Sequence, residues 1–252
     1  MRLLLDIGNT NIKSALYSHG KCTNFEIVQE PQQLFALING KLIDSVAICS
    51  VHPEKYLKVE ELMKEKFGLD PIVITDKAPF EFYNDYEDPK SLGMDRLCSI
   101  EGSLSKLKNS KTTHQSSSFL LTCDMGTATT INILTPDSHF IGGMIAPGVQ
   151  TMLLSLRDHT AQLPLVSPTD YKSFFGNETK SSIAAGVINC SVGLIESTRR
   201  YIKANYDAEC RVFITGGNGQ FIANFVDDPF EYVQELTLLG VASLAQKISP
   251  TK

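Results

Sequence analysis

Short apolar runs closed by polar turns alternate along this chain with longer amphipathic stretches, and that alternation predicts an α/β protein. Residues 2–7 (RLLLDI) form an apolar run ending in Asp-Ile-Gly, the pattern of a buried strand entering a tight turn. The extended pattern resumes at 12–17 (IKSALY) and stops at His19-Gly20, so the chain opens as a β-hairpin whose turn is DIGNTN. Residues 45–51 (SVAICSV), 71–75 (PIVIT), 119–123 (FLLTC) and 211–215 (RVFIT) read as further buried strands. Residues 53–67 carry Pro near the start, helix formers throughout, and Leu57, Leu62 and Phe67 on spaced turns; Gly68 closes this amphipathic helix. Helices are also expected at 149–156, at 181–204 with Ser181 or Ser182 as N-cap, and at 235–247. The Ser-, Thr- and Lys-rich stretch 103–118 breaks the pattern. It predicts a surface linker or insertion without a catalytic role, dividing the chain into lobes 1–115 and 116–252.

Composition narrows the classes. The 252 residues are 42% hydrophobic and 20% charged, which excludes a disordered chain, a fibre and a small disulfide scaffold. With 23 Lys+Arg against 28 Asp+Glu the net charge is −5, so non-specific nucleic-acid binding is not expected. The three leucines before Asp6 are too few for a signal-peptide core, and no run is long enough for a membrane span, so the expected compartment is the cytoplasm. Cys22, Cys49, Cys98, Cys123, Cys190 and Cys210 are scattered without a C-x-x-C, which points to reduced thiols rather than a zinc site. His19, His52, His114, His139 and His159 show no ligand spacing.

An internal repeat carries the chemistry. Residues 3–14 (LLLDIGNTNIKS) and 121–132 (LTCDMGTATTIN) share an apolar strand, Asp, one apolar residue, Gly, a Thr-containing polar turn and a strand-like run. Asp6 aligns with Asp124 and Gly8 with Gly126, at an offset near half the chain. That is the mark of two lobes descended from one α/β unit. An Asp at a strand end can hold a divalent cation directly or through water, and Gly permits close backbone approach to a phosphate. Asn9, Thr10 and Asn11 add polar donors around an anion-binding turn, and Lys13 supplies positive charge for a phosphate oxygen. Neither a P-loop nor a dinucleotide-binding fingerprint is present. The strand ending at Gly216-Gly217 either lies flat under an adenine or ribose or simply turns into a helix.

These residues resemble a known family. The duplicated D-x-G-T turn and the later strand-Gly-Gly resemble the acetate and sugar kinase, Hsp70 and actin superfamily, and within it the type III pantothenate kinases. The resemblance rests on DIGNTNIK at 6–13, Tyr86 followed by Pro89 and Gly93-Met94-Asp95-Arg96, and DMGTATT at 124–130. GGMIAPGVQ at 142–150, Gly176-Asn177-Glu178-Thr179 and TGG at 215–217 extend it along nearly the whole chain. It implies a duplicated ribonuclease H-like (actin-like ATPase) two-lobe fold, with mixed central sheets and flanking helices. The implied reaction is ATP-dependent phosphorylation of pantothenate to 4'-phosphopantothenate, the first step towards coenzyme A.

Carried over by position, Asp6, Ile7, Gly8, Asn9, Thr10, Asn11, Ile12 and Lys13 would grip ATP phosphates and magnesium, the ion meeting Asp6 through water. Asp95 would be the general base, with Gly93, Met94 and Arg96 lining the pantothenate site and Tyr86 on its wall. Asp124 would bind a monovalent cation, potassium or ammonium, and Thr127 would touch ATP. Thr179 would reach pantothenate across a homodimer interface. Asp88 stands where the family more often has Asn, a departure beside the expected wall residue Tyr86. Two other readings stand beside this one: a non-catalytic regulatory or accessory member of the same fold, and a different enzyme of the superfamily.

Overall fold

A computed structural model describes residues 1–109 and 118–249. The chain divides into two compact units, 1–114 with 235–252, and 115–234. In unit 1 the predicted hairpin forms from β1 (Arg2–Ile7) and β2 (Ile12–Ser18), extended by β3 (Lys21–Val28). Helix α1 (Gln33–Ile38), β4 (Ser45–Ser50), α2 (Pro53–Phe67), β5 (Ile72–Val73) and β6 (Tyr83–Asn84) follow, then α3 (Met94–Asn109). Its sheet runs β3-β2-β1-β4-β5, antiparallel at the hairpin and parallel between β1 and β4.

Unit 2 repeats the plan. Strands β7 (Phe119–Met125), β8 (Ala128–Leu134) and β9 (His139–Pro147) lead into helices α4 (Val149–His159) and α5 (Thr179–Tyr206). Strand β10 (Cys210–Thr215), α6 (Gly219–Ala223) and β11 (Glu231–Tyr232) complete it. The order β9-β8-β7-β10-β11 matches unit 1 strand for strand, with β7–β8 antiparallel and β7–β10 parallel. The duplicated α/β fold expected from the repeat is therefore present, and each copy sets its Asp near the end of the central strand.

The closing helix α7 (Leu236–Ile248) belongs to unit 1, not to the C-terminal lobe that the linear division assigned it. Its apolar residues Leu238, Val241, Ala242 and Leu244 bury against Leu4, Ala47 and Cys49 on one sheet face and against Cys98 of α3. The opposite face, Leu3, Leu5, Ile7, Val46 and Ile48, packs on α1 and α2. Side chains alternate along β1, so Asp6 shares the α7-facing side with Leu4.

Where α3 crosses α7 the two backbones nearly touch. A Cβ on Gly102 would fall 2.0 Å from the Leu236 carbonyl oxygen, and one on Gly240 would fall 1.8 Å from that of Cys98. This explains a correction: residues 103–109 are not linker but the last turns of α3, with Ser103 buried and Leu107 on the core side. A serine-rich face looks like a loop in sequence because close helix packing needs small residues. The rest of the expected insertion, 110–117, lies outside the described residues.

Two local expectations also change. Helix α2 buries Val59 and Met63, while Leu57 stays exposed; Gly68 does close the helix, at φ 62°. Helix α5 is capped by Glu178 rather than a serine, with Ser181 returning the bond as the third residue of a capping box. No described helix is long and apolar enough to cross a membrane.

The α3–α7 contact yields a first test. Gly240→Ala should lower unfolding free energy by ~1–3 kcal/mol in denaturant titrations, as overpacking does. Gly193→Ala on α5, with nothing within 4 Å of the added methyl, should instead be neutral or gain ~0.5–1 kcal/mol.

Candidate active site

Strand pairing builds the first acidic turn. Asp6 sits opposite Lys13 on β2 and Cys49 on β4. Its carboxylate is 4% exposed, and a buried charge must be paired. Lys13 Nζ lies 3.3 Å from Oδ2, and the Cys49 thiol donates to Oδ1 across 3.5 Å. The following turn closes through Gly8 N–H to the Asn11 carbonyl at 2.9 Å, leaving Asn9 and Thr10 exposed. Ile7 and Ile12 are fully buried, so only their backbone can serve a ligand. Lys55 of α2 fixes the turn from the side, its Nζ donating to the carbonyls of Asn9 (2.7 Å) and Thr10 (3.2 Å).

The acceptor motif also lies in unit 1. Asp88 caps a short 3₁₀ turn at Pro89–Ser91 by accepting from the Lys90 N–H at 3.2 Å, which gives this departure from the family pattern a structural use. Helix α3 then starts, and Asp95 Oδ1 accepts from the Arg96 N–H at 2.8 Å. Gly93 makes room for that carboxylate, since a Cβ there would sit 2.5 Å from Oδ1. The buried Arg96 guanidinium stacks over the Tyr86 ring at 5.5 Å, so the two predicted wall residues meet.

Met94 borders an open cavity of about 530 Å³, which Val51, Pro53, Tyr56, Ile74 and Leu92 also line. Small-molecule sites commonly have such a size and an apolar lining. Asp95 and Asp6 share a neighbour. The Cys49 thiol is pushed well above its ordinary range, first by its hydrogen bond with Cys98 and by burial, then by the nearby negative charges of Asp6 and Asp95.

In unit 2 the second acidic turn is built by glycines. Gly126 N–H donates to the Ala128 carbonyl at 3.1 Å, echoing the Gly8 bond. Gly216, at φ 92°, clears the space beside Asp124, where a Cβ would lie 2.3 Å from Oδ1. Gly148, at the start of α4, donates to the Thr127 carbonyl at 2.9 Å, and the Thr151 hydroxyl donates to the same oxygen at 2.7 Å. Thr127 itself is exposed, as is Thr179 at the first turn of α5. Asp124 faces Thr130 on β8 and Thr215 on β10. The Gly216-Gly217 pair does turn the chain towards a helix, with Asn218 N–H bonding the Met125 carbonyl at 2.9 Å.

The acids and glycines were legible because the turn is duplicated. Cys49, Lys55 and Thr151 were not flagged, because their contacts span 24 to 46 residues of chain. The only available signal was that each of them falls near the end of a predicted strand or at the start of a predicted helix.

The donors suit a phosphate-bound magnesium. Among the described residues no group of three or more His, Cys, Asp or Glu could hold a metal ion. Magnesium commonly keeps water and phosphate ligands and takes only one or two carboxylates, a role that fits Asp6 beside Lys13.

Comparison with known proteins points the same way. The family model described as type III pantothenate kinase matches residues 2–200. A type III pantothenate kinase of Fervidobacterium nodosum is 30% identical over 253 residues, covering 96% of this chain and 95% of that protein. Among solved structures, a putative Baf family transcriptional activator from Campylobacter jejuni superposes with TM-score 0.64 at 23% identity, over 99% of this chain and 100% of its own. A ROK family glucokinase from Streptomyces griseus, solved with glucose and AMPPNP, gives TM-score 0.52 at 11% identity, over 97% and 99%. The structural likenesses show the shared fold.

The glycine beside Asp124 can be tested without any substrate. Gly216→Ala combines a left-handed backbone with a clash on the carboxylate. It should cost ~1–3 kcal/mol of stability, read as a lower denaturation midpoint. Gly217→Ala, with open space around it, should cost less than half as much.

Proposed function

The chain belongs to the type III pantothenate kinase family, and from that membership we propose that it transfers the γ-phosphate of ATP to the terminal hydroxyl of pantothenate, giving 4'-phosphopantothenate. The observation that carries the reading is the placement of Asp95. It lies in the first turn of α3, beside a glycine that makes room for its carboxylate, with Arg96 stacked on Tyr86 next to it.

Each group has a role. Asp95 accepts the proton of the attacking hydroxyl as the oxygen–phosphorus bond forms and ADP leaves. Arg96 pairs with the pantothenate carboxylate, and Tyr86 holds the guanidinium in place. Gly93 and Met94 line the acceptor site, and the cavity beside Met94 gives it volume. The 6–13 turn holds phosphates through Lys13 and backbone N–H groups. Magnesium, when bound, neutralises developing charge on the phosphate oxygens, and Asp6 orients its water shell. Asp124, whose carboxylate Gly216 accommodates, takes potassium or ammonium, and Thr127 contacts ATP. Thr179 completes the acceptor site from the second subunit of a homodimer, and the enzyme works in the cytoplasm.

The decisive measurement is ADP release with and without pantothenate. Pantothenate-dependent release, with pantetheine as the competing acceptor, supports the reading. Its absence overturns the reading in favour of the non-catalytic alternative. Asp95→Asn should lower turnover by roughly 10²-fold or more while ATP binding persists. Replacing potassium by sodium should reduce turnover; equal rates would remove the monovalent-cation role of Asp124.

A further inference from the structure

Asp6 has two neighbours across the sheet, and each engages a different oxygen. Lys13, from the antiparallel side, is near Oδ2 at 3.3 Å. Cys49, from the parallel side, reaches Oδ1 at 3.5 Å, within the range for a sulfur donor. Both Cys49 and Asp6 are buried, at 0% and 4% exposure, so water does not compete for this bond. Cys98, three residues past Asp95 on α3, packs in the same buried cluster as Cys49. The equivalent slots in unit 2 hold Thr130 and Thr215, and Thr215 gives its hydroxyl to the Gln234 carbonyl. A thiol aimed at the acid is thus a feature of the first turn and not a general property of the repeat.

We propose that Cys49 is a positioning residue for the nucleotide reaction. Its S–H group fixes the Asp6 carboxylate, so that one edge faces the water shell of a divalent cation on ATP. Cys98 packs the same side chain against the helix bearing Asp95. The proposal rests on the kinase reading for the identity of the nucleotide. The bland alternative is that Cys49 only fills the core, as buried cysteines commonly do.

Three substitutions separate these roles: Cys49→Ser keeps a donor, Cys49→Val fills volume without one, and Cys49→Ala does neither. Calorimetry with magnesium and the non-hydrolysable β,γ-imido analogue of ATP, without pantothenate, gives the affinity. Circular dichroism confirms that each variant is folded. The Ala and Val variants should bind about tenfold more weakly, the scale seen when an outer partner of a metal-binding carboxylate is lost. Serine should recover most of that affinity. If valine matches wild type, or all three variants bind alike, the positioning role is overturned.

An infrared difference spectrum, wild type minus Cys49→Ala, supplies a readout independent of nucleotide. The Cys49 S–H stretch should lie at the lower frequency of a thiol bonded to a carboxylate and rise in Asp6→Asn. A band unmoved by Asp6→Asn overturns the bond itself. Failure of the kinase reading would show separately, as no pantothenate-dependent ADP release by the wild type.

Discussion

A carboxylate buried at the end of a central strand is the constraint on which the rest of unit 1 depends. Asp6 follows three leucines into the interior, where an uncompensated charge would cost roughly several kcal/mol even after relaxation. Its compensation comes sideways, from Lys13 on one strand and Cys49 on the other. Both partners exist only in one register. A slip of one residue between β1 and β4 would turn Cys49 to the opposite face and leave the acid against apolar side chains. The requirement that shapes the candidate site therefore also selects the strand pairing. The tight turn that follows, closed by Gly8 and steadied by Lys55, inherits its position from that pairing.

The second acid of unit 1 is placed by helix packing instead. Glycines at 102 and 240 let α3 and α7 approach backbone to backbone, which sets the axis of α3 against the sheet. Asp95 lies at the start of that helix, and Cys98, one turn further, packs in the same core cluster as Cys49. The C-terminal segment is needed for this arrangement, since α7 is the partner that α3 packs on. Glu101 secures the same pair: it is fully buried and accepts from Lys247 at 2.5 Å and from Ser243 at 2.8 Å, both on α7. The first turn and the acceptor motif thus sit on one scaffold, whose last piece is made after unit 2.

What could be read from residue order follows from how local each signal is. The hairpin, β4, β7, β10, α2, α4, α5 and α7 have strong period or clear punctuation, and the structure contains all of them. Strand β3 was missed because it is exposed along most of its length and carries no apolar run. Strand β9 was missed because its glycines, one of which packs directly on the Ile131 carbonyl, dilute the pattern. The end of α3 looked like linker because its packing face is serine and glycine. Among the site residues, those inside a repeated or contiguous motif were visible, whereas Cys49 and Lys55 depend on register between distant segments.

The two copies of the turn have diverged in their neighbours, and the divergence follows charge. Beside Asp6 the sheet offers an ammonium group, which neutralises the acid and adds attraction for phosphate oxygens. Beside Asp124 the same positions offer Thr130 and Thr215, neutral oxygen-bearing side chains, and a glycine that clears space at the carboxylate. A lysine there would compete with a bound cation for the acid. Hydroxyl and carboxylate oxygens are the hard donors that simple cations prefer. One inherited strand-and-turn unit thus carries an ammonium partner in its first copy and neutral hydroxyl-bearing neighbours in its second, with the acid itself kept in both.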